Sequence, residues 1–170
     1  MECIIDKPYP EIKVESNNEY YAKILMEDYS GLVSEMSAIT QYTYQFIDKF
    51  NFDKEFYETL ENISIVEMKH LEILGKLIKL LGVDPVFKSS NNCYLTYWSS
   101  SYIDYNINII KMLEVDIKSE ENAINNYIYH ISLINDKYIK DILYRIIEDE
   151  KKHIECFETL LCKYSNYYKN

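Results

Sequence analysis

The sequence predicts an all-α fold, a four-helix bundle with one long crossover between helices 2 and 3. Three observations carry that prediction. Apolar residues recur at helical spacing along four segments of similar length. Glycine and proline number three each in 170 residues, too few for the many turns of a β-sandwich or barrel. Two short stretches also occur twice in the same order, once in each half of the chain.

Residues 1–18 hold Pro8 and Pro10 and no helical period, which reads as an extended N-terminal arm. Ser16-Asn-Asn-Glu19 has the form of a capping box, and Leu25, Leu32, Ile39 and Phe46 carry the first helix to about Phe50. Asn51-Phe-Asp53 is a short turn with Asp53 as candidate N-cap. The second helix has a seam of Leu60, Ile63, Glu67, His70, Leu74, Leu77 and Leu81. Gly82 ends it, and Pro85 forbids its return. From Val83 to about Tyr102 no helical pattern exists. A helix of about thirty residues is about 45 Å long, and about twenty extended residues span that distance. The segment therefore suits a crossover running back along the bundle. The third helix begins near Ser101 or Asp104 and places Leu113, Ile117, Glu120, Ile124 and Tyr127 on or beside its seam. Asn135-Asp136 is a turn and cap. The fourth carries Ile139, Leu143, Ile146, Glu150, His153, Phe157, Leu160 and Tyr164. The four helices lie at roughly 19–50, 53–82, 104–133 and 137–164, giving a bundle over 19–164 and a polar tail at 165–170.

The repeated stretches locate the chemistry. Glu35-Met-Ser-Ala38-Ile39-Thr-Gln-Tyr42 and Glu120-Glu-Asn-Ala123-Ile124-Asn-Asn-Tyr127 share the form Glu-x-x-Ala-Ile-x-x-Tyr. About thirty residues after each comes Glu-x-x-His, as Glu67 with His70 and Glu150 with His153. Glu35 and Glu120 are 85 residues apart, and Glu67 and Glu150 are 83 apart. Each glutamate falls near the middle of its expected helix, so side-by-side packing brings all four to one height. The i, i+3 spacing puts each Glu and His on one face. A lone Glu-x-x-His is ordinarily a solvated pair. Two copies on seam positions, where leucine would otherwise sit, are costly unless paired or metal-bound. Four carboxylates in one dry site repel by about 4 kcal/mol per pair at 4 Å and an effective dielectric near 20. Two divalent ions offset that charge. Oxygen-rich ligands with one imidazole per ion suit iron or manganese.

Glu35, Glu67, His70, Glu120, Glu150 and His153 are thus the candidate ligands of two Mn or two Fe ions. Glu120 is preferred to Glu121 because it alone aligns with Glu35. Glu150 is also a candidate proton-transfer group. Tyr42 and Tyr127, two turns after Glu35 and Glu120, are candidate catalytic residues. Three roles stay open for them: bonding the carboxylates, carrying an oxidising equivalent, or filling the seam. Ala38 and Ala123 leave room for the cluster. Asp28 and Asp116 are expected in surface or capping positions rather than as proton relays, and His130, which matches no repeat position, is expected to be peripheral.

The formal charge of −10 argues against nucleic acid or an anionic membrane as partner, since both need clustered Lys and Arg. No run approaches the roughly 18 apolar residues of a membrane span, and the first residues have neither the basic region nor the apolar stretch of a signal peptide. Cys3, Cys93, Cys156 and Cys162 form no Cys-x-x-Cys, and Cys156 and Cys162 point to different helix faces. The expectation is a reduced, cytoplasmic protein forming a small homo-oligomer. The 18 tyrosines read as packing and interface residues rather than chemistry.

At these residues the chain resembles the ferritin-like superfamily, whose dinuclear members show this ligand spacing. Within it, Ser34-Glu35-Met36-Ser37-Ala38 through Gln41, Tyr42 and Gln45 is similar to the first-helix motif of manganese catalases. Glu120 with Ala123 and Tyr127, then Asp136, Glu150, His153 and Phe157, is similar to their second half. That resemblance implies a two-manganese site at Glu35, Glu67, His70, Glu120 and His153, with Glu150 a ligand or nearby base, and hydrogen peroxide as substrate. The chain departs from that pattern in being short. Rubrerythrins share the bundle and imply instead a di-iron peroxidase or ferroxidase acting with hydrogen peroxide or dioxygen. Their third helix commonly carries Glu-x-x-Glu, however, and here Ile117 and Ala123 flank Glu120. Glu67-Met68-Lys69-His70 also looks like the bacterioferritin motif, in which Met is a haem ligand, although Met68 reads as ordinary packing. A ferritin-like storage subunit or a structural coat protein is the non-enzymatic alternative.

Overall fold

The computed structural model describes residues 3–91 and 94–167. Among the described residues, five α-helices make four rods: α1 (Glu19–Ser30) and α2 (Glu35–Asp48) share the first, and α3 (Lys54–Leu80), α4 (Ile109–Leu133) and α5 (Lys137–Tyr167) are the others. The connection from α3 to α4 is the single long crossover, so the fold is a ferritin-like four-helix bundle.

The first rod is not the continuous helix that its heptad spacing predicts. The Gly31 N–H closes α1 on Glu27 O at 2.9 Å. A Cβ on Gly31 would lie 2.5 Å from that same oxygen, so the chain passes here most easily as glycine. Ser34 then takes extended dihedrals (φ −157°, ψ 163°) and accepts the Ser37 N–H, while its hydroxyl donates to Gly31 O at 2.8 Å. Leu32, placed on the seam by the sequence pattern, lies in this break and is 58% exposed. At the start of α1, Asn18 rather than Ser16 accepts the first amides, from Tyr20 and Tyr21 at 3.1 Å. Asp53 caps α3, accepting from Glu55 N at 2.7 Å. Gly82, at φ +95°, supplies the left-handed residue that stops it.

The crossover is more ordered than its composition suggests. Strands β1 (Lys88–Asn91) and β2 (Tyr94–Tyr97) pair antiparallel, with Lys88 opposite Tyr97. The hairpin lies against α1, where Ser30 Oγ donates to Lys88 O at 3.0 Å and Phe87 stacks on Tyr29 with ring centroids 5.2 Å apart. A 3₁₀ turn follows at Ser100–Tyr102. The third rod therefore starts at Ile109, not at Ser101 or Asp104. Asp104 and Asn106 instead accept the N–H two residues ahead of each, at 2.7 and 2.9 Å, and these side-chain turns compete with helix. Gln41 fastens the segment to α2 by bonding both Asp104 N and Asp104 O.

Two apolar clusters fill the bundle and leave a polar waist between them. One includes Leu25, Leu74, Leu77, Leu143 and Ile146; the other includes Phe56, Leu60, Ile63, Leu113, Phe157 and Leu160. The N-terminal arm runs antiparallel along α5. Arg145 Nη2 donates to Ile5 O and Lys7 O at 2.9 and 2.8 Å, and Glu15 N donates to Asp136 Oδ2 at 2.7 Å. Asp136 also caps α5 through Tyr138 N and Ile139 N. Cys3 and Cys156 form a disulfide, which overturns the expectation of wholly reduced cysteines and removes their support for a cytoplasmic setting. The reason is tertiary: the arm brings Cys3 to a helix 153 residues away, a pairing that local spacing does not encode. Cys162 is exposed and unbridged, and Cys93 lies outside the described residues. Among the described residues, no helix is long and apolar enough to cross a membrane.

Candidate metal centre

All six sequence-predicted ligands converge at the polar waist, each no more than 3% exposed. Glu35 arrives as the first residue of α2, because the rod breaks just before it. Its carboxylate thus sits where unpaired amides and the helix dipole favour negative charge. Glu67 and His70 project from α3, Glu120 from α4, and Glu150 and His153 from α5.

They form two groups. Glu35, Glu67, His70 and Glu150 offer donor atoms within 4.8 Å of one another, and so do Glu67, Glu120, Glu150 and His153. Glu67 and Glu150 are common to both. Each imidazole turns Nδ1 inward. His70 Nδ1 lies 2.9 Å from Glu67, 3.2 Å from Glu150 and 3.5 Å from Glu35. His153 Nδ1 lies 2.9 Å from Glu150, 3.0 Å from Glu67 and 3.6 Å from Glu120.

The two tyrosines are buried and reach across the repeat. Tyr42 donates to Glu120 Oε1 at 2.5 Å, and Tyr127 donates to Glu35 Oε1. Each phenol thus serves the glutamate of the opposite half. Burial, together with the carboxylate it bonds, holds each phenol well above its ordinary pKa, so both are proton donors at neutral pH.

The charges explain why cations suit this site. Four carboxylates face two imidazoles in a buried interior. Burial and the Glu150 charge push Glu67 upward and Glu120 up to about 7. Burial would lower His70 and His153, but the surrounding carboxylates outweigh it and raise both. Burial likewise would raise Glu150, yet the two imidazoles hold it at about 2. With protons alone, the cluster must keep some carboxyls neutral. Two divalent ions would neutralise all four carboxylates, and oxygen donors with one imidazole each fit such ions. A cavity of about 60 Å³ reaches this cluster, lined by Glu35, Ala38, Tyr42, Glu120, Ala123 and Tyr127 among others. The two alanines leave this space open, enough for a peroxide-sized molecule.

Three residues expected elsewhere lie inside. Asp28 is buried rather than at the surface and bonds His130 Nδ1 at 2.7 Å, so His130 is also interior, not peripheral. The α1 and α4 faces that carry them pack together, and the pairing compensates their burial. Asp116 is fully buried and accepts from Gln45 Nε2 at 2.8 Å. Met68 is 48% exposed on the outside of α3. Sequence reasoning missed Asp149, a fully buried carboxylate whose Oδ2 lies 3.2 Å from His70 Nε2. Its only signals were its place beside Glu150 and an arginine four residues earlier.

Comparison with known proteins agrees with this geometry. A probable manganese catalase of Clostridium acetobutylicum is 26% identical, over 92% of this chain and 76% of its own. The crystal structure of a manganese catalase from Anabaena has a TM-score of 0.82 at 25% identity, covering 94% of this chain and 80% of that one. A Desulfovibrio desulfuricans bacterioferritin, described with a diiron site, shares the fold with a TM-score of 0.74 at 23% identity, covering 86% of this chain and 81% of that one. A match to the rubrerythrin family spans residues 18–161, from the cap of α1 to the last turns of α5, and takes in every residue of the buried cluster. The chain belongs to the rubrerythrin family.

Proposed function

We propose that this protein is a dinuclear-metal oxidoreductase that decomposes hydrogen peroxide in the manner of a manganese catalase. The observation that carries the reading is that the two buried donor groups share Glu67 and Glu150. Such sharing suits two ions held side by side rather than two separate sites. Glu35 and His70 complete one set, and Glu120 and His153 complete the other. A pair of manganese or iron ions would supply the two-electron exchange and Lewis acidity.

The protein's own part is to admit peroxide, exclude bulk water and manage protons. Disproportionation takes two protons and two electrons from one peroxide, releasing dioxygen, and gives them to a second, forming two waters. Glu150 lines the cavity, which makes it the carboxylate placed to take a peroxide proton and later return it. Tyr42 and Tyr127 fix Glu120 and Glu35 while keeping their own protons.

The test is metal analysis of protein purified from its own host, then peroxide turnover with and without an electron donor. Two manganese ions per chain and oxygen release without a donor are expected. Turnover that requires a donor, with iron bound, would favour the second reading, a di-iron peroxidase or ferroxidase. The rubrerythrin family match and the diiron bacterioferritin neighbour support that alternative.

A further inference from the structure

The chain treats its two central imidazoles differently. His70 turns Nε2 outward onto Asp149 Oδ2 at 3.2 Å and the Tyr9 hydroxyl at 3.1 Å. Asp149 in turn accepts the Tyr9 hydroxyl at 2.6 Å and the Ile5 N–H at 3.0 Å, and Arg145 Nη1 lies 2.7 Å from it. The Tyr9 ring stands edge-on to His70, with the Arg145 guanidinium 4.5 Å from its centroid on another side. Ile5 and Tyr9 belong to the N-terminal arm. Arg145 fastens that arm by its backbone carbonyls, and the Cys3–Cys156 bridge anchors it.

His153 has no such support. Its Nε2 is buried and meets no hydrogen-bond partner among the described residues. The repeat explains the difference. Asp149 precedes Glu150, whereas the residue preceding Glu67 is Val66, whose side chain can accept nothing. A carboxylate on the outer nitrogen of a ligating histidine fixes its tautomer and ring orientation and raises its basicity.

We propose that the N-terminal arm, acting through Tyr9 and Asp149 on His70, makes the two metal positions inequivalent. The position served by Glu35 and His70 binds its ion more tightly and fills first. The position served by Glu120 and His153 fills second. Tyr9 and Asp149 are positioning residues, since they reach the ion only through the imidazole. The inference rests on the dinuclear reading above.

The experiment titrates the metal-free, full-length protein with Mn(II). Free ion is followed by electron paramagnetic resonance, and circular dichroism checks the fold. Wild-type protein should take up two ions in two resolved steps. Asp149→Asn and Tyr9→Phe should weaken the first step by roughly 10- to 100-fold and leave the second unchanged. Asp149→Val, which copies Val66, should merge the steps into one. Tyr9→Phe removes one hydroxyl from a partly buried residue, so it keeps the test available if the Asp149 variants unfold. Two ions bound in a single step by wild type, or variants that shift both steps or neither, would overturn the inequivalence and leave the dinuclear reading standing. Failure to take up two ions would overturn both.

Discussion

Glu35 and Glu120 each receive a phenol from the other half of the chain, and this crossing sets what single substitutions should do. Tyr127→Phe removes the donor to Glu35 without changing volume. Peroxide turnover should fall roughly 10- to 100-fold, the usual cost of losing a group that orients a ligand, with both ions retained. Full activity in Tyr127→Phe would reduce the phenol to seam packing. A second residue-scale expectation concerns His130. Burial would lower its pKa, but the bonded Asp28 carboxylate outweighs that and raises it, while burial pushes Asp28 up to about 6. Folded His130 holds its proton more tightly than the unfolded chain does. Its contribution is therefore complete below pH 6.5, the ordinary histidine value, and is lost as pH rises through the folded value. Asp28 acts in the same direction, since its ionisation above about pH 4 costs the folded state. The melting temperature of the metal-free protein should fall as pH rises past about 6.5. His130→Ala should be less stable by about 1.5–3 kcal/mol at pH 6, as expected for a charged hydrogen bond, with a flatter pH slope. Parallel slopes in the two proteins would count against the pair. The candidate ligands were legible in the sequence because Glu67 with His70 and Glu150 with His153 interrupt leucine seams, and Glu35 and Glu120 sit in a matching repeat. Asp149 and His130 were not, because neither has a counterpart in the other repeat and burial alone distinguishes them from surface charge.

At the scale of elements, caps and stops were read more easily than breaks. Asp53 and Gly82 sit at the ends of α3, where a short polar side chain and a left-handed residue are needed. The interruption of the first rod was hidden because Leu32 keeps the heptad spacing while pointing to solvent. The hairpin was hidden too, since Lys88-Ser-Ser-Asn91 has no apolar alternation and holds together by pairing and by leaning on α1. The arm has an energetic consequence of its own. Cys3–Cys156 closes a loop over most of the chain, and such bridges stabilise by about 2–4 kcal/mol, chiefly by restricting the unfolded state. Cys3→Ser should lower Tm by a corresponding amount, and reductant should do the same to wild type but not to the variant. If reductant left the wild-type Tm unchanged, the bridge would have no part in stability.

For the whole molecule, the fold was legible because a repeat and four seams point to the same architecture, and local preference and global packing agree. The price of the polar waist is that a bundle lacking ions holds four carboxylates where apolar side chains would otherwise pack. Metal that binds only the folded state should stabilise it by about 2.7 kcal/mol per site at a hundredfold excess over its Kd, and so raise Tm in a concentration-dependent way. A metal-free protein that melts at the same temperature with and without manganese would speak against any site at the waist. The exchange of phenols between Tyr42 with Glu120 and Tyr127 with Glu35 reaches further than either bond. Each hairpin of helices depends on the other for these two bonds. Severed from its twin, each would keep an acid and a hydroxyl without the partners they have here, so the two halves complete each other at the centre.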